Sequence, residues 1–264
     1  MMQRSTVAVA LVAVVVLLAG CSAVLDDGNG TGNGSVTDGE APSDPSEFDY
    51  ADGYGPDGVT DPQAAVESHN SGLIGSGSYT GTYRSDVETD DQSVQLNVTS
   101  RVDFDAEQGY QRSEVVTQGS TSTVEVYRGS DMRYRRSQAR NQSRTRSSEL
   151  AFAAEDLTTV EPVRPLLTNV SGYDASIEER NGRTLVVYET SGGGDIDSFY
   201  GINESAEVSS FSGQFAVDSD GIVRSASYEL TYQVENEQRA LQVEYAVSDV
   251  GETTVERPDW VDDA

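Results

Sequence analysis

From Ser78 onward apolar residues recur at alternate positions, the spacing of strands with one buried face. Tyr79, Tyr83 and Val87 share one face of a first strand. Val94, Leu96, Val98, Val102 and Phe104 share a face of the next, with Asn97 on the other side. Tyr173, Ala175 and Ile177 alternate with Asp174, Ser176 and Glu178, and Asn181-Gly182 then offers a type I′ turn into Leu185–Tyr188. Phe211, Phe215 and Val217 run into the turn Asp218-Ser219-Asp220-Gly221. Beyond it come two strands, one with Ala226, Tyr228, Leu230, Tyr232 and Val234 on one face, the other with Leu241, Val243, Tyr245 and Val247. With the less regular stretches near Tyr110–Thr117, Val124–Arg128 and Met132–Ser137, the pattern predicts about ten mostly antiparallel strands.

The period is helical in two places. Thr60-Asp61-Pro62-Gln63 reads as a cap at Thr60, a first-turn proline and a glutamine three residues after the cap. Ala65, Val66, His69 and Leu73 follow on one face, and Gly72 and Gly75 end the run. Ser147–Val170 reads as a helical insertion, Glu149–Leu157 and then Thr158–Leu167, with Pro162 and Pro165 preventing one continuous helix. We therefore expect a mainly β (α+β) domain over residues 59–264. It would be a single strongly curved antiparallel sheet or unclosed β-barrel of about ten strands, with the helices covering its concave face.

The N-terminus reads as an address. Arg4, an apolar run from Val7 to Ala19 and then Leu18-Ala19-Gly20-Cys21 form a signal peptide over residues 1–20, ending in a motif that resembles the lipobox of prokaryotic lipoproteins. Cys21, the only cysteine, is the expected lipid attachment point, so no internal disulfide or thiol nucleophile follows. Residues 21–58, dominated by Gly, Asp, Ser, Pro and Asn, are expected to be a disordered tether. The chain carries 45 acids against 17 basic residues, all of them arginine, for a formal charge of -28. Repulsion on that scale opposes compaction in dilute buffer, whereas molar salt shortens the screening length to about 3 Å; the composition resembles that of haloarchaeal proteins. No nucleic-acid partner is expected, because in molar salt the long-range attraction of the chain's arginines to a phosphate backbone is almost extinguished. Asn29, Asn33, Asn97, Asn141, Asn169 and Asn203 each open an Asn-X-Ser/Thr triplet, and Asn97, Asn141, Asn169 and Asn203 are the glycosylation candidates within the domain.

Residues that carry chemistry are sparse. His69 is the only histidine, which leaves no multi-histidine metal site, and its place on the apolar helix face suits a hydrogen-bonded core residue. Neither a nucleophile elbow nor a phosphate-cradling glycine loop occurs, and Asp218 and Asp220 fit turn chemistry. We expect no enzyme, metal or cofactor. Tyr79, Tyr83, Tyr228, Tyr232 and Tyr245 lie on apolar faces, as core packing or as the lining of a cavity. Residues Met132–Ser147 hold six arginines and no acid. Arg136 shares a strand face with Met132 and Tyr134, Arg133 and Arg135 point oppositely, and Arg140, Arg144 and Arg146 are expected in the following loop. Internal ion pairs with the chain's own carboxylates are one reading. The other is a lip of Arg136, Arg140, Arg144 and Arg146 that grips an anionic headgroup by contact-range bonds.

The order of elements, with the hairpin Phe215–Arg224 and the closing segment Val255–Trp260, resembles the LolA/LppX-like superfamily of lipoprotein carriers, haloarchaeal surface lipoproteins in particular. The resemblance spans about Thr60–Trp260 and implies an open β-barrel with helices in its mouth and an apolar cavity that holds acyl chains. On it rests the expectation of a protein anchored through Cys21 to the outer face of the cell membrane, with a hydrophobic or amphipathic ligand, lipid among the options. The ligand would lie between sheet and helices, near Leu150, Phe152, Leu157, Val160 and Leu166. A structural or interaction module of the cell surface without a cavity is the alternative, and a hydrolase or glycan binder a third reading. The sequence leaves the oligomeric state open.

Overall fold

The computed structural model describes residues 42, 44–89, 92–140, 142–170, 172–191, 207–234 and 237–264. Cys21 and the segment read as a signal peptide lie outside the described residues, as do Asn141 and Asn203. Alternation of apolar and polar positions is realised as one antiparallel sheet of eleven strands. Chain order is β3 (Ser78–Thr89), β4 (Ser93–Asp103), β5 (Gln108–Thr117), β6 (Ser120–Arg128), β7 (Met132–Ala139), β8 (Gln142–Glu149), β9 (Asp174–Arg180), β10 (Arg183–Ser191), β11 (Glu207–Val217), β12 (Val223–Val234) and β13 (Glu237–Ser248). Before them β1 (Tyr54–Gly55) and β2 (Gly58–Val59) form a separate pair. The sheet order is 8-7-6-5-4-3-13-12-11-10-9, two meanders joined where β3 meets β13, and β8 and β9 do not pair with each other. The sheet is thus unclosed.

One face of the β9–β13 and β3 half is covered. The helix α1 (Pro62–Gly75) and a crossing segment, residues 150–170, lie over Tyr188, Phe215, Val223, Tyr228, Val243 and Tyr245 to make the main core. The crossing segment is less helical than the sequence suggests. β8 runs on to Glu149, a 3-10 turn occupies Ala154–Leu157, and the helix α2 is only Arg164–Thr168. Pro162 and Pro165 leave too few unbroken residues for a longer helix.

Two further details differ from the expectation. The cap of α1 is Asp61, whose carboxylate accepts from the Gln63 and Ala64 N–H groups, so the helix starts one residue later than a Thr60 cap implies. Residues 44–58, placed by composition in the tether, belong to the folded body: Phe48 and Tyr54 are buried in the main core, and Gly55 accepts the Tyr188 hydroxyl at 2.7 Å. Scattered aromatics in a Gly/Asp-rich stretch suffice here because the core already exists to receive them.

The Asp218–Gly221 turn docks on α1. Asp218 accepts from the Asp220 and Ile222 N–H groups and from Arg224, and the Val223 N–H donates to His69 Nδ1 at 3.1 Å. That acceptor role fixes neutral His69 as the Nε2–H tautomer, facing the Tyr245 hydroxyl at 3.4 Å. Burial, with the Arg224 charge as a lesser cause, lowers the His69 pKa from 6.5 to about 3. The unfolded chain therefore takes up a proton near pH 6.5 that the folded one refuses, so this stability is complete above pH 6.5 and is lost as pH falls toward 3. Chemical denaturation should show the wild type losing ~1.4 kcal/mol per pH unit more than His69→Gln as pH falls below about 6. Parallel pH profiles would refute the buried neutral histidine.

Candidate ligand-binding face

Register assigns each side chain of β3–β8 to a face. Laterally paired rows run Gly81–Ser100–Gln111–Val126–Arg135–Arg146, then Tyr83–Val98–Ser113–Val124–Ser137–Arg144, then Ser85–Leu96–Val115–Ser122–Ala139–Gln142. All three rows lie on the side that α1 covers farther along the sheet, since Tyr83 pairs with Tyr245 of the main core. The acids of these six strands, Asp86, Glu88, Asp103, Glu114, Glu125 and Glu149, all occupy the opposite face. In a chain with 45 acids, this segregation leaves a face on which the six strands place no carboxylate of their own, only apolar, hydroxyl, amide and arginine side chains.

The crossing segment covers only one end of that face. Tyr79 donates its hydroxyl to the Leu157 carbonyl, Tyr245 lies 3.2 Å from Thr159 Oγ1, and buried Arg128 pairs with Asp156 at 3.3 Å. Burial raises Tyr79 to about 12, so these hydroxyls stay protonated and act as fixed tethers for an irregular cover. Beyond it Leu96, Val98, Val115, Val124 and Val126 are half-exposed, outside every described core cluster, and Val94 is 38% exposed.

Of the residues expected to line a cavity, Tyr79, Val160, Leu166, Tyr228, Tyr232 and Tyr245 are buried in the main core, and Leu157 and Tyr83 pack at its margin. Leu150 and Phe152 are half-buried near the end of β8, their N–H groups donating to the Asp131 and Ser130 carbonyls. Where the helices lie, the buried side chains of this set pack into the main core. Depressions of about 220 Å³ around Ser225 and Ser227 and about 290 Å³ around Thr82 and Thr99 both open on the opposite face. The apolar surface left for a ligand is thus the uncovered part of β4–β6. Val124 and Val126 already alternate in the sequence, yet their exposure, like that of Val115, depends on where the crossing segment stops.

The arginine stretch divides. Arg136 is on the opposite face, bonded to Glu125 through Nε at 2.8 Å and stacked over Trp260 at 5.2 Å. Burial raises the Glu125 pKa, but hydrogen bonds from Tyr110 and Arg136 outweigh it and hold the carboxyl below its ordinary value. Arg144 and Arg146 are not in a loop; they belong to β8 and share the carboxylate-free face with Arg133 and Arg135. Arg140 occupies the β7–β8 turn with φ of 46°. Internal pairing accounts for Arg136 alone, because no ion pair forms at Arg133, Arg135, Arg140, Arg144 or Arg146 among the described residues. Asn97 is on the opposite face, bonded to Gln95, and Asn169 is the half-buried C-cap of α2.

The chain is similar to LprF from Mycobacterium bovis, at 8% identity and a TM-score of 0.36, with 75% of this chain and 96% of that one covered. A LolA superfamily protein, NE2245 from Nitrosomonas europaea, is similar at 10% identity and a TM-score of 0.24, covering 76% and 96%. A DUF1329 family protein from Desulfovibrio piger ATCC 29098 gives 12% identity and a TM-score of 0.26, covering 76% and 97%. Values this low transfer no residue role. No curated protein matches the sequence. The model of the DUF7537 family, a family of unknown function, matches residues 6–264, and this chain belongs to that family.

Proposed function

We propose that this chain is a non-enzymatic, extracytoplasmic lipoprotein, anchored to the membrane through Cys21, that shelters a hydrophobic or amphipathic ligand on the uncovered helix-side face of β4–β6. The address rests on the charged start, apolar run and Leu18–Cys21 motif. One observation carries the ligand: Val94, Leu96, Val98, Val115, Val124 and Val126 present apolar surface on a face from which every carboxylate of six strands is excluded. Covering such surface contributes about 25 cal/mol per Å² of apolar area removed from water. A merely solvated face would have no use for that exclusion in so acidic a chain.

The test is native mass spectrometry of protein extracted from its own membranes, with the anchor-bearing N-terminal peptide cleaved off. A stoichiometric lipid retained by the body, and lost in Leu96→Asp/Val124→Asp, is the expected result. A body that carries no lipid, or one that carries a protein partner in its place, would refute the reading and favour a surface interaction module.

A further inference from the structure

Elsewhere on the sheet, four arginines pair with an acid two residues away on the same strand face: Arg84 with Asp86, Arg112 with Glu114, Arg180 with Glu178 and Arg239 with Glu237. Strands β7 and β8 break that habit. On their carboxylate-free face, the neighbours two residues from Arg135, Arg144 and Arg146 are Arg133, Ser137, Gln142, Ser148 and each other. The two strands also set Arg135 directly opposite Arg146, and Arg133 directly opposite Arg128 of β6. Side chains so placed have Cβ atoms about 5 Å apart, and like charges there repel. Protection of the β8 edge explains Arg144 and Arg146 only, since Arg133 and Arg135 belong to an interior strand.

A destabilising cationic pair with no internal anion suits an external one. Guanidinium forks bind phosphate bidentately at contact range, the part of the attraction that survives in molar salt. Next to the pair, the row through Arg135 and Arg146 continues to Val126, and the adjacent row runs from Arg144 through Val124 to Val98. Four strand spacings separate β8 from β4, about 19 Å: β7 and β8 would seat a headgroup, and the apolar strip from β6 to β4 gives a hydrocarbon chain about 10 Å of sheet to cross.

Resting on the sheltered-ligand reading above, we propose that the ligand is an anionic amphiphile. Its phosphate headgroup is clamped by Arg135 and Arg146, with Arg133 and Arg144 flanking, and its chain lies across Val126, Val124, Val115, Leu96 and Val98. Equilibrium dialysis of the mature protein in molar KCl tests this with two probes below their micelle concentrations, 1-oleoyl lysophosphatidylglycerol and uncharged 1-monooleoylglycerol. The wild type should bind the anionic probe about tenfold or more tightly than the neutral one. Arg135→Gln/Arg146→Gln should bind the two alike, with its affinity for monooleoylglycerol unchanged, while the remote Arg84→Gln keeps the preference. The double variant loses a like-charge contact, so its thermal midpoint should equal or exceed the wild type's, which separates lost binding from lost fold.

Equal wild-type affinity for the two probes would overturn the headgroup clamp and leave the sheltered-ligand reading standing. Binding of neither would overturn both. Displacement of the anionic probe by inorganic phosphate at a matching concentration would reveal a simple anion site and also overturn the clamp.

Discussion

Asp218→Ala should cost about 3–5 kcal/mol of folding stability, the scale for removing one partner of a buried ion pair. Asp218 and Arg224 are joined at 2.5 Å with side chains only 5% and 10% exposed, so the arginine would be stranded without its counter-charge. The same carboxylate accepts from the Asp220 and Ile222 N–H groups, which would lose their acceptor as well. The damage should spread to α1, because the turn that Asp218 organises holds the Val223 N–H against His69. Denaturant titration at fixed molar salt measures the loss. Asp218→Asn, which retains an acceptor for the backbone, should cost clearly less, and an Ala variant within about 1 kcal/mol of wild type would show that the turn is not a docking element.

Gly53→Ala should cost about 3–5 kcal/mol, although the residue sits in a stretch whose composition reads as linker. Gly53 has φ of 89°, and a Cβ there would stand 2.2 Å from the Ala65 backbone nitrogen and 2.7 Å from the Asp61 carbonyl oxygen. Both are backbone atoms of the first turn of α1, which cannot swing aside as a flexible side chain could. The Gly53 carbonyl accepts the Thr60 and Asp61 N–H groups, so the residue also ties the entrance of the helix. Deleting residues 21–43 should leave stability unchanged, whereas deleting 21–58 should remove Phe48 and Tyr54 from the core and lower the thermal midpoint sharply. Equal stability of the two deletions would return residues 44–58 to the tether.

The strands with one buried face were legible because a period of 2 is a property of the local chain. Ala226–Val234 and Leu241–Val247 fix their own inward faces, Val94–Val102 sets its apolar residues on the same side of the sheet, and Asn181-Gly182 fixes its own turn, both residues adopting positive φ. β8 was illegible for the same reason. Its eight residues, Gln142–Glu149, contain no apolar side chain and pair along one edge only, so nothing local distinguishes them from a loop. The five tyrosines divided core from cavity only once their neighbours were known. Tyr79 and Tyr245 reach across about 80 residues or more of sequence to the crossing segment, and no spacing rule sees such a partner.

The sequence by itself determined the alternating strands, the short capped helix, the buried histidine, the motif at Cys21 and the concentration of arginine in an acidic chain, because each depends on neighbours along the backbone or on composition alone. Only the tertiary structure decided that residues 44–58 join the core, that the helices leave β4–β6 uncovered, and that Arg133, Arg135, Arg144 and Arg146 meet on a face without carboxylates while Arg136 turns away to Glu125. Those outcomes follow from strand register, which is set by pairings between distant segments and assigns every side chain of a strand to one face or the other at once.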